Sequence, residues 1–267
     1  MKRFVKKVYW ILASQLGLDP LRFFRALVNA PWFIAKYLTF KSSFPGNLAL
    51  MPCLHDRHQE GGDARSEYFW QDLLVARLIH QAAPRRHVDI GSRIDGFVAH
   101  VASFREIEVL DVRPITMALP GIQFKQADLM DDRELDRLLE TAGGSSDSVS
   151  CLHALEHFGL GRYGDRLDPK GWRKGLRNLA RLVENGGTLY LSVPIGTERV
   201  EFNANWVFDP RRIVEAATEE RLSVESLSVF SPEGGLQKVT ADSGTLTDLA
   251  VRPYALGIFT FRKAGTT

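Results

Sequence analysis

From His87 onward the chain alternates short apolar runs with turn residues and amphipathic stretches, and no other feature limits its fold so strongly. The runs are "HVDIG", "IEVLD", "GIQFKQAD", "SVSCLHAL", "GTLYLSV", "RLSVESLSVF" and "LGIFTF". Between several of them lie helix-like segments, notably "DGFVAHVASF", "DRELDRLLETA", "DPKGWRKGLRNLARLVE" and "DPRRIVEAATEE". Strands and helices in alternation bury their apolar faces together as a mainly parallel sheet covered on both sides. The expected fold is therefore α/β, a doubly wound Rossmann-like sheet, and 267 residues supply core enough for it together with an appended segment.

The appended segment is residues 1–65, with the sheet domain expected over residues 66–267. Residues 3–40 read as helical, with Phe4, Val8, Ile11 and Leu12 on one face and Lys2, Lys6 and Lys7 elsewhere. Pro20 fits a helix start after "GLD", and Pro31 is expected to interrupt the second aromatic-rich run. Met1 to Pro45 carries eight Lys or Arg against the single acid Asp19, a charge of +7 in a chain of formal net charge +2. Such a basic, aromatic helix pair has two possible partners, an anionic membrane surface or the domain that follows.

The net charge gives no ground for a nucleic-acid partner. Two cysteines, Cys53 and Cys151, make no disulfide framework and point to a reducing cytoplasm, where contact with the inner membrane would be peripheral. No run approaches the roughly 20 apolar residues that span a bilayer. "VYWILA" is too short, and lacks the following small-residue site, for a cleaved signal peptide. Residues 42–66 are rich in turn formers. His55, Asp56 and His58 lie there without the further rigid ligands a metal site needs, so no metal is expected. Ser66 then caps a helix over "SEYFWQDLLVARLIHQAA".

Ligands of an open α/β sheet bind beyond the carboxyl ends of the strands. The first run ends in Asp89-Ile90-Gly91, followed by Ser92. The second ends in Asp111, followed by Val112 and placed twenty positions after Gly91, a spacing that suits hydrogen bonds to ribose hydroxyls. The third ends near Asp128, a carboxylate able to accept from an adenine amine. The loop "HVDIGSRIDGF" lacks the Lys and Ser or Thr of a phosphate-binding loop after Gly96, and it carries Arg93 where a dinucleotide loop needs its middle glycine. S-adenosylmethionine has no pyrophosphate, demands fewer glycines and brings a cationic centre that tolerates Asp89, so it is the cofactor expected.

Further along, H-x-L-E-H at His153 to His157 and the N-G-G-T-L turn at Asn185 to Leu189 resemble class I S-adenosylmethionine-dependent methyltransferases. "HVDIGSRIDGF" together with "LEHFGLGRYGD" resembles the DUF268 family more closely, over about residues 50 to 262. Members of that family resemble these methyltransferases and often accompany bacterial surface-polysaccharide genes. The resemblance implies a seven-stranded sheet whose last strand, in "YALGIFTFRK", runs antiparallel. It also implies cofactor contacts at Asp89, Gly91, Asp111 and Asp128, with Leu129 beside the adenine.

Methyl transfer to a hydroxyl needs an in-line approach and a base. His153 and His157, four apart, would share a face of a helical turn with Glu156 close enough to orient one imidazole, and His157 is the preferred base. Arg162, Tyr163 and Asp165 in "GLGRYGDRLD", and Asn203, Asn205 and Trp206 in "FNANWVF", are expected to receive the acceptor, while Asp168 starts the next helix. The expected function is O-methylation of a sugar or surface-polysaccharide intermediate. The alternative is a catalytically degenerate scaffold of the same fold in glycan assembly, which the glycine-poor loop favours.

Overall fold

The computed structural model describes residues 5, 8–60, 64–141 and 143–265. The chain divides into two compact units, Met1–Asp63 and Ala64–Thr267. In the first, a five-residue π-helical turn, Ile11–Gln15, precedes one long helix, α1 (Pro20–Ser43). Asp19 caps α1, accepting from the backbone N–H groups of Leu21 and Arg22 at 3.0 and 3.1 Å. The expected break at Pro31 does not occur. Proline removes one ladder hydrogen bond and crowds the preceding turn, yet α1 continues through it for twelve further residues to Ser43. Phe4, Lys2, Lys6 and Lys7, assigned above to the faces of the first helix, lie outside the described residues. Arg57 stacks over Trp32 with its guanidinium carbon 4.1 Å from the ring centre, and Asn29 donates to the Leu54 carbonyl at 2.8 Å.

The second unit holds the sheet. Its elements run α2 (Glu67–Ala82), β1 (His87–Ile90), α3 (Ala99–Ala102), β2 (Ile107–Asp111), β3 (Ile122–Gln126), α4 (Asp132–Thr141), β4 (Ser146–Leu152), α5 (Gly171–Leu182) and β5 (Val183–Ile195). They continue with β6 (Arg199–Glu201), β7 (Asn205–Val207), α6 (Pro210–Glu219), β8 (Leu222–Ser231), β9 (Gly235–Val239), α7 (Ser243–Ala250) and β10 (Ala255–Lys263). The sheet order is β3-β2-β1-β4-β5-β10-β8-β9, and the first five strands are mutually parallel. β10 runs antiparallel between β5 and β8, as expected for the last strand.

This is the expected doubly wound Rossmann-like sheet, with its seven strands extended by an eighth, β9, which forms a hairpin with β8 across "SPEGG". β1 is buried throughout, as befits a central strand covered on both faces. One face packs Leu176, Leu179 and Trp172 of α5 and Ile213 of α6 against Val149, Leu189 and Leu191. The other packs Val75 and Ile79 of α2 and Phe97, Val98 and Val101 against Val109, Tyr190 and Ile258. The strand order reverses between β1 and β4, so a crevice opens beyond the carboxyl ends of these two strands.

Candidate active site

β1 delivers the chain into its turn through Gly91, which has φ of +70° and would bring an added Cβ within 2.9 Å of the Ala154 Cβ. Only glycine meets both conditions without strain. Gly96 serves the packing of the loop on α2, since a Cβ there would lie 2.7 Å from an Asp72 oxygen. The segment Ile94–Val98 leads into α3 through a kink at Gly96, whose φ of −125° and ψ of −108° are not helical.

A cavity of about 630 Å³ lies beyond these strand ends, and all its lining residues fall between Glu67 and Tyr254. Of the expected site residues, Gly91, Asp111, Val112, Asp128, Leu129, His153, Glu156, His157, Arg162, Tyr163, Asp165 and Asn205 line it. Asp89, Ser92, Asn203 and Trp206 do not. Asp89 is fully buried behind the turn, where its carboxyl accepts from the Ser92 N–H at 3.1 Å, the Ser92 hydroxyl at 2.6 Å and the Ser150 hydroxyl at 2.5 Å. It organises the loop instead of touching a ligand. Burial lifts its pKa to about 7 against the lowering effect of those hydrogen bonds. Asn203 is exposed at the tip of the β6–β7 hairpin. Trp206 stacks on Phe208 with ring centres 5.9 Å apart and packs against the core. Among the described residues no group of three or more His, Cys, Asp or Glu could hold a metal ion.

At the end of β2, Asp111 accepts from the Arg113 N–H at 2.8 Å and is gripped by the Arg113 guanidinium at 2.5 Å. That guanidinium also lies 4.6 Å from the centre of the Tyr163 ring. At the end of β3, Asp128 accepts from the Met130 N–H at 2.8 Å. Burial holds its carboxyl above the usual range, helped by the charges of Asp165 and Glu134. Asp165 is spent largely on its own loop, accepting at 3.1 Å from the N–H groups of Gly159, Gly161 and Tyr163. Asp168 lies a turn ahead of α5, accepts from the Lys170 N–H at 2.9 Å and pairs with Lys174 at 2.6 Å.

The two histidines do not share a helical face. His153 directly follows β4 at φ of +51°, a left-handed conformation that costs a non-glycine residue about 1–3 kcal/mol, and only Leu155–His157 form a helical turn, of 3₁₀ type. Glu156 stands between them, with Oε1 2.8 Å from Nδ1 of His153 and 3.9 Å from Nε2 of His157. Nε2 of His153 is 3.4 Å from Glu67, an ion-pair distance without hydrogen-bond geometry, and the Tyr68 ring lies 4.5 Å from the imidazole.

Burial alone would lower the pKa of His153, but the Glu156 hydrogen bond and the charges of Glu156 and Glu67 outweigh it and hold the pKa above its usual value. Burial would raise Glu156, and His153 pulls it below the usual range. Both shifts favour the imidazolium–carboxylate form of the pair. His157 goes the other way: burial depresses its pKa, offset only in part by Glu156. Its Nδ1 lies 2.7 Å from the Ala204 carbonyl, which can only accept, so Nδ1 carries the proton and Nε2 is left basic. Arg162 donates to the same carbonyl at 3.0 Å.

Among the cavity residues not expected from the sequence are Glu67, Tyr68, Arg113 and Tyr254. Tyr254 donates to both Glu67 oxygens, at 2.7 and 2.9 Å. The signals that could have found three of them are weak: Glu67 and Tyr68 directly follow the Ser66 cap, and Arg113 stands two residues past a strand-end acid.

With this geometry in hand, the fold defines a Rossmann-like α/β class with its cavity at the strand-order reversal. Residues 124–221 match the family described as "Caenorhabditis protein of unknown function, DUF268", so that resemblance stands over this stretch and not over the "HVDIGSRIDGF" loop. No curated protein matches the sequence. Similar solved structures include the N-methyltransferase NodS from Bradyrhizobium japonicum WM9 in complex with S-adenosylhomocysteine, at 13% identity and TM-score 0.48, covering 85% of this chain and 97% of that one. The 1,6-didemethyltoxoflavin N1-methyltransferase of Burkholderia thailandensis is similar at 14% identity and TM-score 0.48, covering 88% and 90%. An O-methyltransferase family protein of the same organism stands at 15% identity and TM-score 0.42; 73% of this chain is covered and it spans 59% of that protein's length.

Proposed function

We propose that this chain is an S-adenosylmethionine-dependent methyltransferase that methylates a hydroxyl of a sugar or surface-polysaccharide intermediate. One observation carries the reading. Six carboxylates line the cavity (Glu67, Asp95, Asp111, Asp128, Glu156 and Asp165) against three guanidinium groups (Arg93, Arg113 and Arg162). Two of those cations are neutralised locally, Arg93 by Asp95 at 2.8 Å and Arg113 by Asp111. An acid-rich cavity favours a ligand carrying sulfonium and ammonium charges and disfavours a dinucleotide's pyrophosphate.

The residues present fit such a cofactor. Gly91 leaves a cradle that a Cβ would fill, and Oε2 of Glu156 is buried without a hydrogen-bond partner. Asp111 would hold the ribose hydroxyls and Asp128 the adenine amine, with Val112 and Leu129 against the base. When bound, the cofactor supplies a methyl group on a sulfonium. The chain supplies the proton acceptor: Nε2 of His157 takes the acceptor's hydroxyl proton, and Glu156 stabilises the imidazolium that results. His153, 2.8 Å away through Nδ1, fixes Glu156 in place. Tyr163, which meets the His157 ring edge-on at 5.5 Å and has the Arg113 and Arg162 guanidinium groups over its ring, would receive the sugar through its hydroxyl together with Arg162 and Asn205.

The Arg113 grip on Asp111 favours the second reading, a binding or scaffold protein in glycan assembly, because the ribose acid is already engaged. Titration calorimetry with S-adenosylmethionine, S-adenosylhomocysteine and NAD separates the two. Micromolar binding of the first two, about −8 kcal/mol, with loss on Asp111→Ala, is the expected result. Binding of none of the three would leave the scaffold, and binding of NAD alone would overturn the cofactor assignment.

A further inference from the structure

We infer that α1 is an interfacial helix that lays its exposed apolar stripe into the headgroup region of an anionic bilayer. Phe23, Phe24, Leu27, Val28, Ile34 and Leu38 recur at offsets of 1, 4, 5, 11 and 15 residues from the first, which at 3.6 residues per turn puts them on one side of the helix. All six are exposed, with Phe23 and Phe24 at 67% and 64%. Arg22, Arg25 and Lys36 fall on the other side, near Asn29, the one buried residue of α1, while Lys41 ends the stripe in the last turn. A large side-by-side apolar surface of this kind marks an interaction site rather than ordinary exposure.

Charge selects the occupant. Between Pro20 and His55 there is no Asp or Glu, and Met1–Pro45 carries +7. A second copy of the same segment would meet it with like charge, whereas an anionic leaflet attracts it, and the long Lys and Arg side chains can reach headgroups from the flank while the stripe is buried. Among the described residues no helix is long and apolar enough to cross a membrane, so α1 lies on the surface. The helix of 24 residues gives a contact about 36 Å long.

The decisive experiment is co-sedimentation of the full chain with vesicles of phosphatidylcholine alone and of phosphatidylcholine mixed with phosphatidylglycerol. Binding to the mixed vesicles only, weakened by salt, is expected. Phe23→Asp with Leu27→Asp should lower the partition at least about ten-fold. Arg22→Glu with Arg25→Glu should lower it by roughly five-fold or more per position. Ile34→Asp with Leu38→Asp repeats the apolar test, and unchanged circular dichroism certifies each variant. Equal binding to both vesicle types, or to neither, overturns the proposal. So does a concentration-dependent dimer that Leu27→Asp disperses, which would assign the stripe to a second copy.

Discussion

Asp89 and His87 illustrate how burial decides what a side chain does. Burial drives the His87 pKa down to about 3, so the imidazole is neutral and bridges Ser148 at 2.8 Å and Ser150 at 3.1 Å. Asp89, lifted to about 7, binds its proton more tightly folded than in an unfolded chain, where the carboxyl titrates near 3.9. The stability this confers is full at acid pH and is lost as pH rises through about 7. Asp89→Asn should therefore flatten the dependence of Tm on pH between about 4 and 7, measured by thermal denaturation. At the cavity, His157→Gln should lower kcat by about 10²–10⁴-fold and remove the acidic limb of the pH–rate profile, a limb placed below the usual imidazole range by the depressed pKa. Arg113→Ala frees Asp111 from its internal partner and should tighten S-adenosylhomocysteine binding several-fold in calorimetry; weaker binding would mean that Arg113 holds Asp111 in position for the ligand. That arginine left only a weak signal in the sequence, because pairing at a spacing of two depends on the turn that follows β2.

Elements were legible where a run of apolar residues or a helical periodicity marks them. The seven apolar runs became seven strands because each lies in the sheet interior or pairs along its length. β9 escaped notice because its residues are half-exposed or exposed and carry no apolar run, and the three-residue strands β6 and β7 are shorter than any periodicity. α1 was expected to break at Pro31, yet the apolar and helix-forming residues on either side carry the helix through the one missing hydrogen bond. The Glu67–Tyr254 contact joins residues 187 apart, a juxtaposition that only the sheet's topology creates. The turn after β1 yields a prediction at this scale. Gly91→Ala must adopt φ of +70° and press on Ala154, and it should cost at least about 2 kcal/mol by thermal denaturation and weaken cofactor binding with it.

For the whole molecule, the division into Met1–Asp63 and Ala64–Thr267 separates two properties. Every cavity residue belongs to the second unit, and the exposed aromatic stripe belongs to the first. Proteolysis within the exposed stretch at residues 47–60 should leave a fragment whose affinity for S-adenosylhomocysteine is within about two-fold of the intact chain and whose vesicle sedimentation is gone. A fragment that no longer binds the ligand would tie the first unit to the site. The Ala204 carbonyl at the end of the β6–β7 hairpin has a consequence of another kind. It fixes the tautomer of His157 and anchors Arg162 at once, so on the proposed reading reactivity and recognition hang on a single peptide group. A substitution or insertion that moves this carbonyl would therefore retune the base and the acceptor contact in one step, whereas side-chain changes that leave the hairpin backbone in place could vary the acceptor alone.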